Sequence, residues 1–465
     1  MRTMAHNSEG RFESMFAKAR RIFAGLAFPV AVTSCGHASA LPSGVSAQTD
    51  SPGSYIQHVV IVVQENHSFD NLFAKFPGAD GATIGKTSNG ATVELKESKL
   101  YSAKILGHGH RDFVKDYHHA KMDGWNLDCV KQRLDPLCAY EYVDPSQIAP
   151  YWTMAAQYAL ADHMFPTESS GSFSAHQDLI RGDSAITDHE SLIDFPSKPP
   201  WGCDADPGTT TVLITRENQE LVTGPAPCTN KFPDPSAYRT LRDLLDEKSI
   251  SWKYYVPRLT SNALAGAIWN AYDVIWPVRY GPEWNTNVSF PEKNIFRDIR
   301  DGTLPSVAWV IPDNVNSDHG GYQFGRTDKG PSWVAQIVNA VGTSRYWSST
   351  AIIIVWDDWG GWYDHVPPPQ LDYAGLGIRV PMIVVSPYAK SGYVSHTQYE
   401  FGSIVKFVED VWSLGRLDTT DVRANSITDM FEFKRTARQF KPIRAAYSME
   451  FYERQPPSNL PVDGY

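Results

Sequence analysis

The sequence predicts an α/β protein built on a doubly wound, mostly parallel sheet, and two observations carry that expectation. Continuous β-branched and apolar runs recur at Val59-Val60-Ile61-Val62-Val63, Ser306 to Ile311, Ala351 to Trp356 and Val380 to Ser386. Strands apolar at successive positions are buried on both faces, as in a parallel sheet covered by helices. Between these runs lie helical patterns, for example Ser332 to Gly342 and Ser403 to Leu414, and strands alternating with helices mark a doubly wound domain. The chain has 465 residues, enough for one large domain with insertions. The stretch from about 190 to 300 is richer in Pro, Asn, Thr and Trp and less periodic. We expect it to be a cap-like insertion within a catalytic domain covering 49–465.

Residues 1–48 read as an export segment. Lys18, Arg20 and Arg21 precede the apolar run Ile22 to Thr33, and small-residue cleavage sites follow at Ala38-Ser39-Ala40 and Val45-Ser46-Ala47. The run is too short to span a bilayer. Arg20-Arg21-Ile22-Phe23 loosely matches a twin-arginine signal, and Val32-Thr33-Ser34-Cys35 a lipoprotein box. Periplasmic, secreted and Cys35-anchored destinations therefore all stay open.

The formal charge is −10, so nucleic acid is not expected as a partner. No obligate protein partner is evident either. Once Cys35 leaves with the export segment, Cys129, Cys138, Cys203 and Cys228 remain. Proximity favours Cys129 with Cys138 and Cys203 with Cys228, although three connectivities are possible. A zinc site is the competing use, but no Cys-x-x-Cys pair supports it.

Ligands of open parallel sheets bind where strands end at their carboxyl edge. Two polar clusters follow buried runs: Gln64-Glu65-Asn66-His67-Ser68-Phe69-Asp70, and Asp357-Asp358-Trp359-Gly360-Gly361-Trp362-Tyr363-Asp364-His365. Adjacent carboxylates repel unless a cation or protons separate them, and hard oxygen donors suit a divalent metal. Glu65, Asn66, Asp357 and Asp358 thus make a candidate metal site, with the ion's identity open among calcium, magnesium, manganese and iron. A capped strand entering a turn through Gly360-Gly361 would look similar; two clusters on two strands favour the metal.

These residues resemble the bacterial phospholipase C and acid phosphatase group of phosphoesterases, within the alkaline phosphatase-like superfamily. The resemblance rests on His58 to Asp70, Lys121-Met122-Asp123-Gly124-Trp125, Ser317-Asp318-His319-Gly320 and Trp356 to Val366, in the family's order. It runs from about 55 to 415. It implies a serine or threonine nucleophile after Ala161-Asp162, which falls here on Ser172 of Ser170-Gly171-Ser172. The family's usual Pro and Asn are Gly171 and Ala175 in this chain, so Ser169, Ser170 and Ser174 remain alternatives.

The resemblance also implies an active-site histidine in Gly107-His108-Gly109-His110, with His108 preferred over His110 for the phosphate or metal site. His319, after the Ser306 to Ile311 run, is the expected proton donor to the leaving alcohol. His365 is expected at the substrate, with bonding to Asp364 as its other role. His118, His119, His163 and His189 read as ordinary histidines.

The implied activity is metal-dependent hydrolysis of phosphate esters through a phosphoseryl intermediate, acid phosphatase-like, on a small phosphate ester or a phospholipid head group. The alternatives are a phospholipase C-type phosphodiesterase and an inactive exported binding protein of the same fold. Ser rather than Thr at 172 and the absence of extra C-terminal domains lean towards the phosphatase. The aromatics Trp252, Tyr254, Tyr255, Trp269 and Trp276 would form either a cage for a choline cation or the insertion's own core.

Overall fold

The apolar runs become the middle of a nine-stranded sheet. In chain order its strands are β1 (His58–Gln64), β2 (Ala159–Phe165), β3 (Trp252–Tyr255), β4 (Val288–Ser289), β5 (Val307–Val310), β6 (Thr350–Trp356), β7 (Val380–Val385), β8 (Tyr393–Ser395) and β9 (Tyr399–Glu400). They lie in the order β4-β3-β5-β1-β6-β7-β2-β8, with β9 also on β2. Pairing is parallel except at β7, which runs antiparallel to both β6 and β2. In the centre Ile61 of β1 stands opposite Trp309 on one side and Ile353 on the other. Val59 to Val63 and Ala351 to Trp356 are fully buried, which is why neither run alternates with polar residues.

This computed structural model describes residues 51–101, 104–198, 202–226, 228, 238–258, 268–320, 328–458 and 460. The export segment expected at 1–48, with Cys35, lies outside the described residues. Among the described residues no helix is long and apolar enough to cross a membrane.

The helices that matter for the site are α1 (Phe69–Phe73), α2 (His110–Tyr117), α3 (Trp125–Lys131), α4 (Ala149–Gln157), α5 (Ser172–Arg181), α6 (Gly330–Gly342) and α7 (Phe401–Trp412). Helix α6 packs on α4 and β6, and α7 on α5. Helix α5 is buried along its whole length, its Ser, His, Gln and Asp residues included. A helix polar in sequence yet buried all round must spend those side chains on partners rather than on solvent. It ends at Gly182, whose φ of 101° is the left-handed stop that glycine supplies most readily.

The stretch from about 190 to 300 has two structural parts. Ala185–Thr187, Glu190–Asp194, Thr211–Thr215 and Glu220–Gly224 form a separate four-stranded antiparallel sheet. The later part instead extends the central sheet through β3 and β4. Trp252, Tyr254, Tyr255 and Trp269 are buried in the main core, while Trp276 is exposed. Cys129–Cys138 and Cys203–Cys228 are paired as disulfides. The first sits in a smaller apolar cluster with Trp125, Tyr140, Trp359 and Trp362.

Candidate functional site

Strands β1, β2, β5 and β6 point the same way, so the residues that follow them collect at one carboxyl edge. Glu65 and Asn66 follow β1, Asp357 and Asp358 follow β6, and the turn Asn314–Asn316 after β5 leads to His319. After β2 the chain turns through 166–171 and starts α5 at Ser172. The loops are tied together by their backbones: Glu65 N–H donates to Ser317 O at 2.8 Å and Asp357 N–H to Gln64 O at 2.9 Å.

Asn66 takes a left-handed conformation, φ 63°, which asparagine tolerates better than most residues. That turn aims its N–H at Asp357 Oδ1, 2.9 Å away. Its side-chain amide lies 3.1 Å from His108 Nε2. His108 Nδ1 is 2.9 Å from the carbonyl of Leu106, so Nδ1 carries the proton and Nε2 accepts from Asn66. Gly360, φ 60°, closes on the same spot: a Cβ there would stand 2.0 Å from Asn66 O. Its N–H donates to Asp358 Oδ1 at 2.6 Å.

The carboxylates form two arms. In the first, Glu65 Oε1 is 3.2 Å from His176 Nε2, which is 3.9 Å from Asp357 Oδ2, and all three side chains are fully buried. One ligand atom from each lies within 4.8 Å of the others. Asp357 Oδ2 has no hydrogen-bond partner among the described residues, and a buried carboxylate oxygen left so is strongly penalised without a cation. The donor set, two carboxylates and an imidazole with Asn66 alongside, fits a divalent metal. In the second arm the Ser172 hydroxyl donates to Asp358 Oδ2 at 3.2 Å.

Two of the three competing serines are spent elsewhere, while Ser170 Oγ is buried with no hydrogen-bond partner among the described residues. Ser169 Oγ donates to Ala374 O and Ser174 Oγ to Gly171 O. Gly171 replaces the family's usual Pro for a local reason: a Cβ there would meet Phe195 at 2.8 Å and His108 O at 2.9 Å.

Opposite the carboxylates stand His108 and His319, rings 6.0 Å apart and nearly perpendicular. His319 Nδ1 donates to Gly320 O, fixing the proton on that nitrogen in the neutral ring. Trp269 bridges the two sides, 6.1 Å from the His319 ring and stacked 6.3 Å from His176. Asp194 lies near His108, and burial pushes its carboxyl up to about 6.

Glu65, Asn66, His108, Ser172, His319, Asp357 and Asp358 are thus brought together, whereas His110 and His365 are not. His110 is bound to the carbonyl of Ser169 at 2.8 Å, and burial lowers its pKa. His365 Nδ1 lies 2.7 Å from Asp70 Oδ2 and Nε2 3.3 Å from Asp80 Oδ1. Against the lowering effect of burial, the bond to Asp70 and the charges of Asp70 and Asp364 raise His365 to about 9. His365 therefore belongs to a buried ion network around Arg379, whose guanidinium contacts Asp70 and Asp364. His176 was not among the residues expected from sequence. Its signal is the spacing of four from Ser172, which puts both on one helix face.

The model of the phosphoesterase family matches residues 56–415. The chain belongs to the phosphoesterase family. This phosphoesterase is 24% identical over 445 residues to a non-hemolytic phospholipase C of Burkholderia pseudomallei, covering 80% of the chain and 57% of that relative. To a non-hemolytic phospholipase C of Pseudomonas aeruginosa it is 24% identical over 464 residues, with 85% and 60% covered. The chain thus spans somewhat over half the length of these two relatives. It is 21% identical to the non-specific phospholipase C3 of Arabidopsis thaliana, over 78% of the chain and 71% of that protein. Among solved structures, a protein of the alkaline phosphatase superfamily from Vibrio parahaemolyticus aligns with a TM-score of 0.33 at 9% identity, covering 78% of this chain and 69% of that one. The lipoteichoic acid synthase LtaP of Listeria monocytogenes aligns with a TM-score of 0.36 at 8% identity, covering 80% and 77%.

Proposed function

We propose that this phosphoesterase is an exported, metal-dependent hydrolase of phosphate esters in which Ser172 is the nucleophile and a phosphoseryl intermediate forms. The observation that carries the proposal is the Ser172 hydroxyl: it starts a buried helix and bonds to Asp358, beside the buried Glu65–His176–Asp357 group. A divalent ion held by Glu65, Asn66, Asp357 and Asp358, with His176 as a further donor, would supply positive charge that activates the serine hydroxyl and neutralises phosphate oxygens.

The chain's own residues account for the rest. The first N–H groups of α5 point at the space in front of Ser172, where a phosphate is favoured. Asp358 Oδ2 holds the hydroxyl and takes its proton as Oγ bonds to phosphorus. The Asn66 amide, oriented by its bond to His108 Nε2, lines the phosphate oxygens. His319, as the imidazolium, gives its Nε2 proton to the leaving alcohol, since an alkoxide departs slowly without one. Water then attacks phosphorus and gives its proton to His319 Nε2, while the Ser172 oxygen leaves and takes back the proton held by Asp358. The buried disulfide Cys129–Cys138 supports an oxidising, exported setting.

The phospholipase C names of the relatives favour a second reading, a phosphodiesterase on phospholipid head groups. Rates on p-nitrophenyl phosphate and p-nitrophenyl phosphorylcholine, for wild type and Ser172→Ala, test both. We expect the monoester to be preferred and Ser172→Ala to abolish either activity. A wide preference for the diester replaces the phosphatase by the phospholipase, and wild-type rates in Ser172→Ala reject the nucleophile.

A further inference from the structure

At the same carboxyl edge but beyond β7, three residues that play no part in the proposed phosphoryl transfer converge on one point. Asp162, within β2, is fully buried. Its Oδ1 lies 2.9 Å from His163 Nδ1 and its Oδ2 2.7 Å from His396 Nδ1. His396 follows β8, and its side chain is 61% exposed, so the point opens to solvent. The three ligand atoms lie within 4.8 Å of one another.

We infer that Asp162, His163 and His396 form a second cation site, selective for a borderline divalent transition ion of the zinc class, with water completing its coordination. Three arguments meet here. Two imidazoles and one carboxylate are the donors such ions prefer, while calcium and magnesium prefer oxygen alone. Neighbouring donors around an ion with bonds of about 2.0–2.1 Å stand ~3 Å apart, close to the spacings observed. The far nitrogen of His163, Nε2, lies 3.3 Å from Asp80 Oδ2, the carboxylate-behind-histidine arrangement that fixes the tautomer of a metal-bound imidazole. Asp80 is itself tied down, its N–H donating to Asp162 Oδ2 at 2.8 Å.

Charge points the same way. Arg379 is bonded to Asp70 and Asp364 and also contacts Asp80, its Nη1 4.0 Å from Asp80 Oδ2, and it gives Asp162 only a bond to the backbone carbonyl. Among the described residues, the Asp162 carboxylate is met by the two imidazoles and the Asp80 N–H. A buried carboxylate needs a positive partner, and a divalent ion held with the two imidazoles would be one. An ion here would join three chain segments: the Asp80 loop, β2, and the link between β8 and β9.

The test is metal stoichiometry in tag-free protein equilibrated with zinc ion, freed of excess, and analysed by plasma mass spectrometry. Wild type should hold one equivalent more than His396→Ala and one more than His163→Gln, with hydrolytic rates within twofold for His396→Ala. Asp357→Asn, which alters the other group, should keep the equivalent that His396→Ala loses, so failure of one site is separable from failure of the other. Cobalt ion should give visible absorption bands in Asp357→Asn that vanish when His396→Ala is added. Equal zinc content in wild type, His396→Ala and His163→Gln overturns the inference and leaves the histidines as hydrogen-bond donors to Asp162.

Discussion

Replacing Asp357 by asparagine should reverse the effect of metal on stability. The side chain does two separable jobs: Oδ1 accepts the Asn66 N–H at 2.9 Å, while Oδ2 has no hydrogen-bond partner and faces Glu65 and His176. Asparagine keeps an acceptor for the first job and removes the charge from the second. Glu65 and Asp357 present ligand atoms within 4.8 Å, and two unit charges that close repel by about 3.5 kcal/mol at an effective dielectric of 20. The nearby imidazole offsets part of this, so the metal-free variant should be about 1–3 kcal/mol more stable than metal-free wild type. With metal at a thousand times its dissociation constant, wild type gains about 4 kcal/mol that the variant does not. Urea unfolding with chelator and with added manganese ion gives both numbers. If the stripped variant is no more stable than stripped wild type, and manganese stabilises both equally, Glu65, His176 and Asp357 do not form a metal site.

Three further perturbations probe the surrounding structure. Arg379→Met leaves the buried Asp70 and Asp364 without their guanidinium; urea unfolding should register a loss of about 3–5 kcal/mol, and a loss below about 1 kcal/mol would show that the network contributes little. Glu292 is raised by burial, and by the charge of Asp313, from 4.5 to about 8. Its cost to the fold therefore grows as pH rises through that window, and Glu292→Gln should gain on wild type between pH 5 and 9, to a ceiling of about 4–5 kcal/mol; a constant difference across that range refutes the assignment. A Cβ on Gly124 would stand 1.7 Å from the carbonyl of Lys115, so Gly124→Ala should lower the unfolding midpoint by at least the about 1–3 kcal/mol of an overpacked contact, and an unchanged midpoint means α2 and α3 can separate at no cost.

The buried parallel strands were legible because their runs need no alternation. Strand β3 was not, since Trp252-Lys253-Tyr254-Tyr255 is short and aromatic and sits within a stretch without period. An apolar run also carries no direction, so Val380 to Ser386 announced a strand but not that it runs against its neighbours. In the site, oxygen-rich clusters directly after strands are readable because sheet direction alone gathers them. His176 was not readable in that way: a histidine inside a helix declares nothing until the helix is known to lie against Glu65 and Asp357. His365 misled for the opposite reason. It adjoins the Asp357-Asp358 cluster in sequence, but Asp70 and Arg379 draw it into an ion network of their own.

The reversal of β7 has a consequence for how the edge can change. A parallel strand beside β6 would require a crossover connection to carry the chain back to the opposite end of the sheet. An antiparallel one begins where β6 ends. The whole segment 357–379 can therefore stay on one edge, and from Asp357 to Arg379 it serves the carboxylate group, the wall of aromatics and the ion network in turn. Residues gained or lost within that segment would reshape the mouth of the site while leaving every strand pairing in register.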